Sequence, residues 1–198
     1  MTSKYSGIIL LLFLLFAVSC DQRTDAQEKG RKEVGTDGLI ITSEGTSKYY
    51  PEYRKAADLL QEEKAAEAIL VYQHLCKIED EDRKTYAFMG LGTAYMVAHD
   101  YPEAIKSYNR SLLLNPRNSN SYIGLGSVYY ALRDYQTAIR QYELARQTDP
   151  GNADSWWGLA ISYDEAGQAD SAKANASKFL ELVPDTKYKM YVRQILSK

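Results

Sequence analysis

Two consecutive stretches, TYAFMGLGTAYMVAHDYPEAIKSYNRSLLLNPRN (residues 85–118) and SNSYIGLGSVYYALRDYQTAIRQYELARQTDPGN (residues 119–152), are one pattern written twice. A third copy, ADSWWGLAISYDEAGQADSAKANASKFLELVP, follows at once (residues 153–184). Pro116, Pro150 and Pro184 stand 34 residues apart, as do Ala104, Ala138 and Ala172. Leu91, Leu125 and Leu159 keep the same step, and so do Tyr95, Tyr129 and Tyr163. Gly92 and Gly126 are followed in the third slot by Ala160. A fixed period with small and large residues in constant phase marks a stack of helical hairpins, each too small to bury its apolar face alone.

The columns have physical reasons. The first half of each copy (Thr85–Ala98, Ser119–Leu132, Ala153–Ala166) carries apolar residues at the i, i+3, i+4, i+7 spacing of a buried helical stripe. The second half (Pro102–Leu114, Gln136–Thr148, Asp170–Val183) does the same. His99-Asp100-Tyr101, Arg133-Asp134-Tyr135 and Gly167-Gln168-Ala169 are the expected turns between them. Gly92, Gly126 and Ala160 let a facing helix approach closely, with Ala104, Ala138 and Ala172 as its small partners. Each proline stops the second helix, because it lacks the donor that the next turn needs.

At these residues the chain resembles the tetratricopeptide repeat family. The family's order is an aromatic, Leu-Gly, Tyr, Ala, a second aromatic, Ala and Pro. One copy reads Phe88, Leu91, Gly92, Tyr95, Ala104, Tyr108, Ser111, Pro116, and the next reads Tyr122, Leu125, Gly126, Tyr129, Ala138, Tyr142, Ala145, Pro150. The third reads Trp156, Leu159, Ala160, Tyr163, Ala172, Ala176, Phe179, Pro184, with its late aromatic displaced. The resemblance implies an all-α fold, a right-handed superhelical solenoid of antiparallel helix hairpins. It is specific for fold; the family is a general protein-binding scaffold, so it selects no partner.

Outside the three clear copies the pattern weakens. Tyr49–Ile78 is a degenerate first copy in which Ala56, Leu59, Ala68 and Tyr72 keep the internal spacing. The charged run Glu79–Lys84 connects it to the next copy, and its terminal proline is lost. Thr186–Lys198 is amphipathic through Tyr188, Tyr191, Val192, Ile195 and Leu196, as a closing helix over the last copy would be. The expected repeat domain is residues 48–198: four hairpins (49–82, 85–118, 119–152 and 153–185) and a cap over 186–198.

The N-terminal region reads differently. Lys4 precedes an apolar run, Gly7–Val18, that is short of the roughly 20 residues a spanning helix needs. It ends in Phe16-Ala17-Val18-Ser19-Cys20. This resembles the bacterial lipoprotein signal, although alanine at Ala17 replaces the commoner leucine. The resemblance implies a signal peptide over residues 1–19 and acyl chains, palmitate among them, on Cys20. Asp21 follows, which in some enterobacteria favours retention in the inner membrane; the choice between inner and outer membrane stays open. An ordinary secretory signal is the alternative. Residues 20–47 are polar apart from Leu39-Ile40-Ile41 and read as a flexible tether, about 30 Å end to end. The Leu39 cluster either docks on the first repeat or forms a short strand.

Composition narrows the function classes. A 198-residue chain with 45% hydrophobic and 25% charged residues supports one globular domain with extensions. A net charge of −2 provides no basic footprint for nucleic acid. Cys20 aside, Cys76 is the sole cysteine; on a stripe with Ala68, Ile69, Tyr72 and Leu75 it reads as a core residue. His74 and His99 are isolated, and the acidic run Glu79–Asp82 reads as a solvated connection rather than a cation site. No phosphate loop, metal spacing or nucleophile–base motif is present, so neither an enzyme nor a cofactor is expected.

In the family, the second, fifth, ninth and twelfth residues of each first helix line a concave groove. Carried over, these are Tyr50, Tyr53, Ala57 and Leu60; Tyr86, Met89, Thr93 and Met96; Asn120, Ile123, Ser127 and Tyr130; and Asp154, Trp157, Ile161 and Asp164. Tyr50, Tyr53, Tyr86, Met89, Met96, Asn120, Ile123, Tyr130, Trp157 and Ile161 are the expected partner contacts. The lysine, asparagine and arginine set that clamps acidic chaperone tails is missing. Aromatic and apolar anchors suit an extended or helical peptide. The expected protein is a lipid-anchored adaptor of the bacterial envelope. In plan it is similar to tetratricopeptide lipoproteins that assist pilus secretin assembly, outer-membrane protein assembly or envelope proteolysis. The alternative is a homo-oligomer joined through the tyrosine-rich surface.

Overall fold

The structure, a computed structural model, describes residues 33–34, 40–41, 50–77, 81–184 and 186–197. The expected signal segment, Cys20 and most of the tether lie outside the described residues. Among those described there are nine helices, so the repeat fold is all-α as the periodicity predicts. They are α1 (Tyr50–Gln61), α2 (Ala65–Leu75), α3 (Glu81–Val97), α4 (Tyr101–Leu114) and α5 (Ser119–Ala131). Then come α6 (Tyr135–Thr148), α7 (Ala153–Glu165), α8 (Ala169–Leu182) and α9 (Lys189–Leu196). Ile40–Ile41 forms a two-residue strand, β2, antiparallel to β1 (Glu33–Val34), which is one of the two fates open to the Leu39 cluster.

The turn chemistry explains the helix limits. Asn118 and Asn152, 34 residues apart, cap α5 and α7 by accepting from Ser121 N (3.2 Å) and Asp154 N (3.0 Å). Three residues earlier, Asn115 and Asp149 accept from Arg117 N and Gly151 N, closing the bend around each proline. Asp134 caps α6 through Thr137 N at 3.0 Å. Each first helix stops where a residue enters the left-handed region: Glu63, His99, Arg133 and Gly167. Two expected boundaries shift. Tyr101, Tyr135 and Ala169 begin the second helices instead of lying in the turns. Glu81 and Asp82 belong to the backbone of α3 rather than to a connection.

The helices fall into two compact units divided after Leu114. In the first, α1 pairs with α2 and α3 with α4, while α2 packs on α3. Its core holds Ala56, Leu59, Leu60, Ala68, Tyr72, Leu75, Ala87, Leu91 and Ala94, so the degenerate copy folds on the residues that kept the spacing. Two hydrogen bonds reinforce this packing. The Ser111 hydroxyl donates to Thr85 O at 2.9 Å, closing the α3–α4 hairpin. The Tyr53 hydroxyl donates to Arg83 O at 2.8 Å, tying α1 to the next hairpin. Cys76 is half-buried against this core, and burial pushes its thiol up to about 12, which keeps it protonated at neutral pH. In the second unit α5 pairs with α6 and α7 with α8, α6 packs on α7, and α9 covers α8. Val192 and Ile195 of α9 are fully buried, as its amphipathic pattern predicts.

A second glycine column, Gly90, Gly124 and Gly158, keeps the 34-residue step beside Gly92 and Gly126. A Cβ on Gly126 would lie 2.8 Å from the Tyr142 ring of its own copy. A Cβ on Gly158 would lie 2.3 Å from the same ring, which belongs to the preceding copy. Gly92 meets Tyr108 and Gly90 meets Tyr72 in the same two ways. Tyr142 thus lies between two helices that lack side chains at the contact. The late tyrosine's hydroxyl reaches a hydroxyl of its own first helix: Thr93 with Tyr108 at 3.0 Å, and Ser127 with Tyr142 at 2.7 Å. The third copy loses both partners together, having Ile161 and Ala176 there, and buries Phe179 three residues further on. Exchanging both members of a buried hydrogen bond for apolar groups is nearly neutral, whereas losing one is costly.

Candidate functional site

The first helices carry the positions expected to meet a partner, and each unit shows how its own are placed. In the first unit, Tyr86 and Met89 on α3 are partly exposed. Tyr53 is half-buried, held by its bond to Arg83 O and set edge-on to Tyr72 at 6.4 Å. Tyr50 opens α1, and its side chain lies outside the described residues. Thr93 is occupied by Tyr108, and Met96 is buried.

In the second unit the partly exposed positions are Asn120, Asp154 and Asp164. Asn120 Oδ1 accepts from Asn152 Nδ2 at 3.1 Å, joining the N-terminal ends of α5 and α7. Ile123, Tyr130, Trp157 and Ile161 are all 5% exposed or less. Tyr130 packs edge-on to Tyr135 with ring centroids 5.3 Å apart. Trp157 stacks on Tyr188 at 5.5 Å and meets Phe179 at 5.3 Å. The residue ahead of α9 thus lies over a side chain that the family pattern assigns to the groove. These four residues, like Met96, have the placement of core side chains.

The electrostatics centre on Asp154. Desolvation by its neighbours pushes its carboxyl up to about 6 from an ordinary 3.8. Burial, and then the Asp154 charge, push the Tyr188 phenol up to about 12. Tyr142 is driven in the same direction by burial, against the opposing bond from Ser127, with the Asp154 charge adding to the rise. Because the folded state binds the Asp154 proton more tightly than the unfolded chain does, this residue opposes folding above about pH 6. That opposition fades as the pH falls toward about 4. The expected result is that Asp154→Asn melts higher than wild type at about pH 7.5 and that the gap closes by about pH 4. A gap of the same size at both pH values would contradict this reading of the carboxyl.

Sequence spacing missed the second glycine column and the asparagine caps, although both keep the 34-residue step and were visible as such. Nothing in the sequence marked Tyr188 as the cover of Trp157. Among the described residues, no group of three His, Cys, Asp or Glu is placed to hold a metal ion. No helix among them is long and apolar enough to cross a membrane.

Comparison with known proteins agrees with this architecture. A thermophilic TPR protein of Thermus thermophilus superposes with a TM-score of 0.67 at 19% identity, covering 74% of this chain and 80% of that one. MamA 41-end from Desulfovibrio magneticus RS-1 superposes at 0.61 and 20% identity, covering 76% and 84%. The first TPR of Spaghetti, solved bound to an HSP90 peptide, superposes at 0.56 and 21% identity, covering 58% and 92%. No curated protein matches the chain. Two models described as tetratricopeptide repeat match residues 89–153 and 129–195, together more than half of the chain. With the 34-residue columns and the hairpin packing, they establish that the chain is a tetratricopeptide repeat protein.

Proposed function

We propose that this protein is a non-catalytic scaffold that binds a segment of another protein along its first helices. The supporting observation is the division of labour within each copy. The repeated columns close the hairpins, while Tyr86, Met89, Asn120 and Asp154 remain partly exposed on the first helices. The Spaghetti repeat carries a peptide of sequence SRMEEVD, rich in carboxylates at its end. Here the corresponding positions of the second unit include Asp154 and Asp164 and no lysine or arginine, so an acidic tail suits them poorly.

Tyr86→Ala and Met89→Ala on α3, a first helix of the first unit, combined with Asn120→Ala on α5, a first helix of the second, test the two units' own faces, since all three residues are partly exposed and the fold should survive their loss. Affinity capture from native membranes, read by mass spectrometry, should show a partner held by wild type and lost by the triple variant. A partner held equally by both places binding elsewhere. The exposed Leu70, Leu113 and Met190 favour a second reading, self-association. A mass in ultracentrifugation that rises with concentration would support it, and a strict monomer would remove it.

The proposal extends to location: a lipid on Cys20 would fix the scaffold to a membrane of the bacterial envelope. It is supported by the short apolar run before Cys20 and the polar stretch after it. Cys20→Ala should move the protein from the membrane pellet to the soluble fraction and abolish labelling by a palmitate analogue. Retention in the pellet without labelling in wild type would remove the lipid anchor.

A further inference from the structure

The 34-residue step does not stop at Pro184. Asn118 and Asn152 are followed at that interval by Thr186, and Ser121 and Ser155 by Lys189. The bonds recur with the positions. Thr186 Oγ1 accepts from Tyr188 N at 3.2 Å, as Asn152 Oδ1 accepts from Asp154 N at 3.0 Å. Lys189 N donates to Thr186 O at 3.2 Å. In the same way Ser155 N donates to Asn152 O at 3.3 Å and Ser121 N to Asn118 O at 3.2 Å. Ile195, 1% exposed, stands in the column of the fully buried Ile161. By register and by turn chemistry α9 is the first helix of a fifth copy, with its side chains altered on two sides.

The first alteration lies toward α8, on which α9 packs. Elsewhere the column of Gly90 and Gly158 meets the ring of the preceding second helix: Gly90 abuts Tyr72, and Gly158 abuts Tyr142. Gly158 follows Tyr142 by 16 residues, and Val192 follows Ala176 by the same 16. Val192 and Ala176 are both fully buried, so the two sides of this contact have exchanged sizes. The ring that α8 lacks at Ala176 stands instead at Phe179, 5.3 Å from Trp157 and 6.4 Å from Tyr188. The second alteration is on the opposite side. Arg193 takes the column of Leu91, Leu125 and Leu159, and Gln194 that of Gly92, Gly126 and Ala160. Gly126 is where a first helix receives its own second helix, yet Arg193 and Gln194 are exposed and polar. We infer that α9 closes the stack through the size exchange, α8 accepting α9 and no other first helix of this chain. The glycine of α3, α5 or α7 would leave a void over Ala176. The α1 residue of this column, Arg54, would bury a charge there.

Thermal denaturation of the full chain tests this. Val192→Gly and Val192→Arg give α9 the residues that α7 and α1 carry in this column, and each should lower the melting temperature by about 5 °C or more. The Ala176→Phe background returns a ring to the slot that Tyr142 fills in the copy before. There Val192→Gly should be neutral or should raise the melting temperature, because the glycine now makes room for the ring. A second background, Ala176→Phe with Phe179→Ala, moves the ring back instead of adding one. The same reversal is expected in it, and it carries the test if the first background does not fold. Helix propensity alone would make glycine costly in every background, so the reversal separates the size exchange from a general weakening of α9. No change or a gain in either background supports the inference. A loss from Val192→Gly in both overturns it. So does a Val192→Gly or Val192→Arg chain as stable as wild type.

Discussion

Replacing Trp157 with alanine is expected to destabilise the second unit by about 3–5 kcal/mol, the range for a large aromatic removed from a packed core. The side chain is 1% exposed and touches Phe179 of α8 and Tyr188 ahead of α9. Its loss opens a cavity beneath both, and α9 should loosen first. If residues 115–198 melt as one unit, the melting temperature should fall by about 12 °C or more. Trp156 provides the internal contrast. It is partly exposed, donates from Nε1 to Pro150 O at 2.9 Å and lies 5.0 Å from the Arg146 guanidinium. Trp156→Ala should cost about 1–2 kcal/mol, from one cation–π contact and one hydrogen bond. Thermal denaturation of the two neighbouring variants decides the matter. Equal losses would mean that Trp157 is not the covered residue described here.

Tyr142→Ala should cost a similar amount, about 3–5 kcal/mol, because the ring fills the space between α5 and α7 and its loss leaves the buried Ser127 hydroxyl without its partner. The sharper expectation concerns Gly158. Helix propensity alone predicts that Gly158→Ala stabilises by about 1 kcal/mol. Packing predicts the reverse, since the new Cβ would fall 2.3 Å from Tyr142 Cε1. The ring cannot retreat, because Gly126 already abuts its other side. Overpacking of about 1–3 kcal/mol should therefore prevail. In the Tyr142→Ala background the clash is gone, and the same Gly158→Ala change should become neutral or stabilising. Denaturant titrations of the four proteins measure this coupling. Additive effects would show that the ring and the glycine do not meet.

The repeat was legible because a 34-residue period needs only residue identity to be seen. Pro116, Pro150 and Pro184 and the Leu-Gly columns state where helices end and where they touch. The degenerate first copy was legible for the same reason: Ala56, Leu59, Ala68 and Tyr72 kept the spacing that the core requires, and all four are buried. Helix starts were less visible, because an acidic run reads equally as a solvated loop or as the first turn of a helix, and α3 begins at Glu81.

The partner face was legible only as positions. The family pattern chose Met96, Ile123, Tyr130, Trp157 and Ile161 alongside Tyr86, Met89 and Asn120, and periodicity treats all of them alike. Their separation into covered and exposed residues is a tertiary matter. Trp157 is closed by Tyr188, well outside its own hairpin, and a contact of that range leaves no trace in local spacing. Asp154 gains its unusual carboxyl from the neighbours that desolvate it, again a property of packing. Sequence by itself determined the helices, their pairing and their number per copy, because backbone periodicity and turn chemistry are local. Only the tertiary structure decided which first-helix side chains remain available, because burial depends on residues distant in the chain.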